Sequence, residues 1–169
     1  EEKGFVSPRF FVVFERLDLP SPRLYETGVV LEPVDGGREN PEVKSVDYRA
    51  AYALPSGAFE VLYCPGGEIT EAGHSSFFLV RDGALVTAPL SRVLGGTTRR
   101  AILELASGSG ISVEERCPTL SELSLADEAF ITGSVKKVLP VVRVGERTVG
   151  TGRPGPMTLR LSKLYLDHI

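Results

Sequence analysis

A chain of 169 residues, 42% hydrophobic and 24% charged, has the composition of an ordinary globular protein and the length to bury one good core. A net charge of −3, with no Lys/Arg cluster along a helix or groove, argues against a nucleic-acid partner. No apolar run approaches membrane-spanning length and no secretory signal opens the chain, so a soluble, cytoplasmic protein with no membrane partner is expected.

Cys64 and Cys117 lack metal or redox spacing and read as free thiols. His74 and His168 lie too far apart to anchor a ligand cluster, so no metal site is expected. The chain opens with Glu-Glu-Lys-Gly rather than Met, which suggests part of a longer product.

RFFVVFERLDLP (9–20), β-branched and aromatic and ending at Pro, predicts a strand running into a linker. SPRLYETG (21–28) reads as a crossing segment, and TGVVLEPV (27–34) as a strand closed by Asp35-Gly36-Gly37. The spacing of Val46, Ala50, Ala53 and Leu54 predicts a helix over 45–54, ended by Pro55 and Gly57. FEVLYC (59–64), EITEA, SSFFLV (75–80) and ALVTAP (84–89) then read as strands, the last two joined as a hairpin by Arg81-Asp82-Gly83.

TTRRAILELASGSG (97–110) predicts a helix capped by Thr97 or Thr98 and stopped by Gly108 and Gly110. ISVEERC is a strand, SELSLADE a short helix, and AFITGS with KVLPVVRVGERTVG two or three more strands. Pro156 suits the first turn of a last helix, MTLRLSKLYLDH. The pattern is α+β, strand-rich, with about three helices and no internal repeat.

Three pieces bear on chemistry. GGTTRRAILELA sets two glycines and two hydroxyls at a helix N-terminus, where free N–H groups and the dipole favour a phosphate; ordinary capping explains the same residues. Gly133 and Ser134 in FITGSVKKVLPV make a second strand-to-loop turn able to meet an anion, or a plain turn. GGEITEAGHSSFFLV places Glu71 beside small residues that admit a flat ligand; alone it reads as a surface charge, as does Lys44 in GGRENPEVKSVDYRA. Jointly, a lysine, a carboxylate and two phosphate cradles are what pyridoxal phosphate requires.

The order of these pieces resembles the fold-type IV pyridoxal phosphate enzymes, the class IV aminotransferases, which include branched-chain and D-amino-acid aminotransferases and aminodeoxychorismate lyases. KSVDY is similar to the family's Lys-Thr/Ser-x-Asn-Tyr, which implies that Lys44 is the Schiff-base lysine and Tyr48 the partner of the ring hydroxyl. GEITEAGHSSFF resembles the family's Thr-Glu-Gly-Ser-Ser-Ser-Asn-x-Phe segment and implies Glu71 as partner of the pyridine nitrogen. LGGTTR, like Leu-x-Gly-Ile-Thr-Arg, implies Leu94 against the ring and Thr97 and Thr98 on the phosphate. ADEAFITGSV implies Ser134 and Val135 at a second phosphate or substrate-carboxylate contact, and GRPGPMT resembles the closing Gly-x-x-Gly-Pro-x-Thr.

The resemblance further implies a D-amino-acid aminotransferase-like fold. Residues 1–20 would be the last strand of a small N-terminal domain, 21–26 a linker and 27–169 the cofactor-binding domain. Expected partners are a small amino acid with its 2-oxo acid, or an aminodeoxychorismate-like substrate, and a second copy in a homodimer. The expected activity is aminotransfer, with the lyase reaction as alternative and a catalytically silent remnant as a second. Departures from the family pattern are Ala72, His74, Ser76, Asp47 and the early Pro55.

Overall fold

The computed structural model describes residues 10–38, 40–44, 54 and 57–169. Among them are three α-helices, α1 (Pro22–Thr27), α2 (Thr97–Gly108) and α3 (Pro156–His168). Eight strands accompany them: β1 (Val29–Val34), β2 (Glu60–Tyr63), β3 (Ser76–Arg81), β4 (Ala84–Thr87), β5 (Val113–Glu115), β6 (Glu128–Gly133), β7 (Lys137–Val144) and β8 (Arg147–Thr148). The expected α+β, strand-rich class is the observed one.

All eight strands form one mixed sheet in the order β2-β1-β7-β6-β3-β4-β5, with β8 on β7. β1 runs parallel to both β2 and β7, and β4 parallel to β5; the centre, β7-β6-β3-β4, is antiparallel. Side chains alternate along each strand, so the sheet has two apolar faces. Phe77, Leu79, Ala129, Ile131, Leu139 and Val141 join Leu31 and Leu62 on one face. Phe78, Val80, Phe130 and Val138 face Ile102 and Ala106 of α2 and Leu161 and Tyr165 of α3 on the other. Burial on both faces is why these strands read in the sequence as continuous apolar runs.

Several segments differ in local structure from their reading in the sequence. Residues 10–20 form no strand, and Phe14 is 94% exposed, because none of the described strands pairs with this segment. The segment read as a crossing linker contains α1: Pro22 sits in its first turn and Gly28 ends it at φ 75° with its N–H on the Leu24 carbonyl. A Cβ at Gly28 would lie 2.3 Å from Val142, so glycine is needed there for space as well as for conformation. EITEA makes isolated bridges at Glu68, Glu71 and Ala72 rather than a full strand, and SELSLADE gives one 3-10 turn over Glu122–Leu125. The helix expected over 45–54 falls almost wholly outside the described residues, and Leu54 itself is not helical.

The cap predicted for α2 is also corrected. Gly96 is the N-cap and no side chain caps the helix, since Thr97 and Thr98 already belong to its first turn. The Thr98 hydroxyl instead lies 3.4 Å from the Tyr165 hydroxyl of α3. The first-turn N–H groups of α2 therefore have no side-chain acceptor of the usual kind.

Candidate active site

One cavity of about 800 Å³ opens where the start of β3, the end of β6 and the N-terminus of α2 converge. Its lining includes Lys44, Glu71, Leu94, Thr98, Ser134 and Val135, six of the eight residues predicted from the sequence. Thr97 is exposed and does not line it, because successive side chains at a helix start point in different directions. Tyr48 lies outside the described residues.

Glu71 is positioned by a tight reversal of the chain after β2. The Tyr63 N–H donates to the Glu71 carbonyl, Gly73 N–H to Val61, and Ala72 N–H to Ser75, so the small residues 72 and 73 fold close to the sheet. The Glu71 carboxylate is buried, accepts from the Leu94 N–H at 3.3 Å and pairs with Arg38 at 3.2 Å. Burial raises its pKa above the usual carboxylate value; the Leu94 N–H and the Arg38 guanidinium offset part of the rise. Arg38 also donates to the Pro41 carbonyl at 3.4 Å and to the Val43 carbonyl, and so ties the loop that leads to Lys44 onto Glu71. Lys44 itself is exposed at the cavity mouth.

The far wall combines Gly96 and the α2 residues Thr98 and Arg99 with Thr132 and Gly133 at the end of β6 and Ser134 and Val135 after it. Arg99 is 2% exposed, with Nη2 bonded to the Ala88 carbonyl and to Glu115, both at 2.8 Å. Its Nε and the Thr132 hydroxyl are buried without a hydrogen-bond partner. Two unpaired donors beside uncapped helix N–H groups make this wall suited to an anion. Arg99, which with Arg100 weakly favours an anion in the sequence of TTRR, is buried in this wall. Arg38 and the pair formed by Lys136 and Glu60 are the elements sequence reasoning missed, and Lys136 and Glu60 meet only through the sheet order. Burial lowers the Lys136 ammonium to about 8, which leaves it mostly protonated at neutral pH beside Glu60. Among the described residues no group of His, Cys, Asp and Glu could hold a metal ion.

The chain is similar to a branched-chain-amino-acid aminotransferase of Pseudomonas aeruginosa, 38% identical over 118 residues that cover 69% of this chain and 38% of the relative. A D-alanine aminotransferase of Bacillus licheniformis is 36% identical over 118 residues, covering 69% and 42%. The fold matches the crystal structure of the Escherichia coli branched-chain amino acid aminotransferase with a TM-score of 0.77 and 30% identity, over 87% of this chain and 53% of that one. The T.th. branched-chain enzyme, solved with pyridoxamine 5'-phosphate, matches at 0.79 and 29%, over 91% and 54%. The chain thus spans less than half the length of these two curated relatives and about half of the two solved chains. The model of the amino-transferase class IV family matches residues 2–144, and with these relatives it establishes that the chain belongs to that family.

Proposed function

We propose that this chain is the cofactor-holding part of a pyridoxal phosphate-dependent aminotransferase that acts on a small amino acid and its 2-oxo acid. The observation that carries the proposal is that Lys44, Glu71, Thr98 and the 133–135 turn surround one cavity. The donor set fits the cofactor: a primary amine, a buried carboxylate, and a wall with two unpaired buried donors. Gly96 and Gly133 contribute no side chain there; a Cβ at Gly96 would already approach Ser76 Oγ to 3.4 Å. Two structures of the T.th. branched-chain enzyme, one with pyridoxamine 5'-phosphate and one with N-(5'-phosphopyridoxyl)-L-glutamate, support the same assignment.

When bound, the cofactor supplies an electron sink for the bond to the substrate α-hydrogen. The chain's residues do the rest. Lys44 would carry the cofactor, and its Nζ would move the proton from the substrate α-carbon to the cofactor's C4′. Glu71 holds a proton at the pyridine nitrogen, and its buried setting keeps that pair out of water. The N-terminus of α2 with Thr98, and the N–H groups at Ser134 and Val135, hold phosphate and carboxylate oxygens. Leu94 packs against the ring. Tyr48 and Thr97 stay in the proposal as family-derived contacts, to the ring hydroxyl and the phosphate.

Transfer is favoured over the lyase reaction because the relatives named above are aminotransferases. In the same reading residues 1–20 end a small N-terminal domain, the 27–169 body binds the cofactor, and two copies pair as a homodimer. Free Cys64 and Cys117 suit the reducing cytoplasm. The test is titration of the purified protein with pyridoxal phosphate, followed by a single-turnover reaction with an amino acid. A visible absorption band that the amino acid shifts, and that Glu71→Gln weakens, supports the proposal. A chain that gives no band at saturating cofactor contradicts it.

A further inference from the structure

The two walls of the cavity come from distant parts of the chain, and their join runs from Ser75 and Lys136, which line it, to Glu60 behind them. Glu60, in β2, is 4% exposed and does not line the cavity. Its Oε2 accepts the His74 backbone N–H at 3.3 Å, and its Oε1 accepts the Ser75 hydroxyl at 3.3 Å. The same Oε1 pairs with the Lys136 ammonium, which also donates to Ser75 Oγ at 3.0 Å. Lys136 is held at two further points: its ammonium lies 5.7 Å from the Phe59 ring centroid, and its carbonyl accepts the Tyr25 hydroxyl at 2.9 Å.

From this arrangement we infer that Glu60 and Lys136 are a pair of positioning residues that lock the Glu71-bearing turn (71–76) to the anion-holding turn (133–136). The inference rests on the proposed cofactor site for its functional consequence, but the lock itself does not. The ladder between β3 and β6 ends at the Ser76–Thr132 pair, so beyond it the two turns are joined by these side chains. A buried carboxylate satisfied from both sides sets the separation of the two turns, and so of Glu71 from the Ser134 and Val135 N–H groups. A pair that served stability alone could be replaced by apolar residues of similar size without loss.

That contrast supplies the experiment. Single removals such as Lys136→Met leave a buried charge unpaired and destabilise the fold. The informative variant is the neutral pair Glu60→Gln with Lys136→Met, compared with wild type by unfolding midpoint, amide exchange and pyridoxal phosphate titration. The expected result is a midpoint near wild type with faster exchange in both 72–76 and 134–136, measured without cofactor, and an affinity for pyridoxal phosphate weaker by about tenfold or more. Unchanged exchange in either turn at an unchanged midpoint overturns the lock. If the double variant does not fold, Ser75→Ala tests the same join, with faster exchange in 134–136 expected and no change there overturning it. Faster exchange in the neutral pair, beside a wild-type protein that binds no pyridoxal phosphate, upholds the lock and removes only the proposed cofactor.

Discussion

Arg38 and Glu71 form an ion pair at 3.2 Å with their side chains 13% and 6% exposed, at the floor of the cavity that Lys44 borders. The guanidinium does two things at once. It offsets part of the desolvation of the carboxylate, and through the Pro41 and Val43 carbonyls it draws the loop before Lys44 toward Glu71.

The pair gives a pH signature with a definite sign. Burial raises the folded-state pKa of Glu71, so its contribution to stability is fully present below the usual carboxylate value and is lost as pH rises through the raised one. Glu71→Gln is expected to remove this loss. Arg38→Gln is expected to extend it to higher pH, because a lowering influence is gone. Thermal midpoints across acidic to neutral pH for the three proteins check both statements; identical profiles would count against the buried pair.

A second carboxylate should behave in the opposite sense. Glu122 accepts from Arg116 at 2.7 Å and from the Thr119 N–H at 2.8 Å, and its pKa falls from 4.5 to about 2. Its stabilisation is present above pH 4.5 and is lost as pH falls toward 2. Arg116 is 44% exposed, so screening reduces the effect to about 1–2 kcal/mol. Urea unfolding of wild type and Glu122→Gln at both ends of that window measures it. A difference that does not shrink on acidification refutes the assignment.

The last helix depends on a cap from another element. Glu128 of β6 accepts the Met157 N–H at 2.8 Å and the Thr158 N–H at 2.7 Å, serving the N-terminus of α3, whose own N-cap is Gly155. Glu128→Gln should cost about 1–2 kcal/mol by weakening charge-assisted bonds at the positive end of the helix. A Cβ at Gly155 would fall 2.1 Å from Glu128 Cδ, so Gly155→Ala should displace the same carboxylate and cost about 1–3 kcal/mol. Denaturant titrations of both variants test this, and the pair should be less than additive because they damage one contact.

The cysteines should separate cleanly. Cys64 is 2% exposed and burial pushes its thiol up to about 12, while Cys117 is only partly buried and less strongly shifted. Alkylation of the native protein at mildly alkaline pH is expected to label Cys117 first, and Cys64 only on unfolding. Equal rates in the folded state would contradict the core placement of Cys64.

The sequence revealed most of what packing alone determines. FEVLYC, SSFFLV and ALVTAP were legible as strands because each is buried on both faces, and TTRRAILELA as a helix because Ile102 and Ala106 share one face. RFFVVFERLDLP carries the same composition, yet it forms no strand among the described residues, since β propensity expresses itself only beside a partner. Ser21-Pro22 and Gly28 did mark the ends of α1, but six residues hold too little periodicity to announce a helix. Of the candidate site, Lys44, Glu71, Leu94, Thr98, Ser134 and Val135 were legible as motif residues and share one cavity. The Arg38–Glu71 and Glu60–Lys136 pairs were not, because register and sheet order bring those side chains together and neither leaves a local pattern.

The most direct measurement is to add pyridoxal phosphate to the purified protein, reduce with borohydride and locate the pyridoxyl group by peptide mass spectrometry, with Lys44→Ala as control. One adduct on Lys44, absent from the variant, is the predicted result. Adducts scattered over surface lysines and unchanged in Lys44→Ala would contradict the proposed cofactor site.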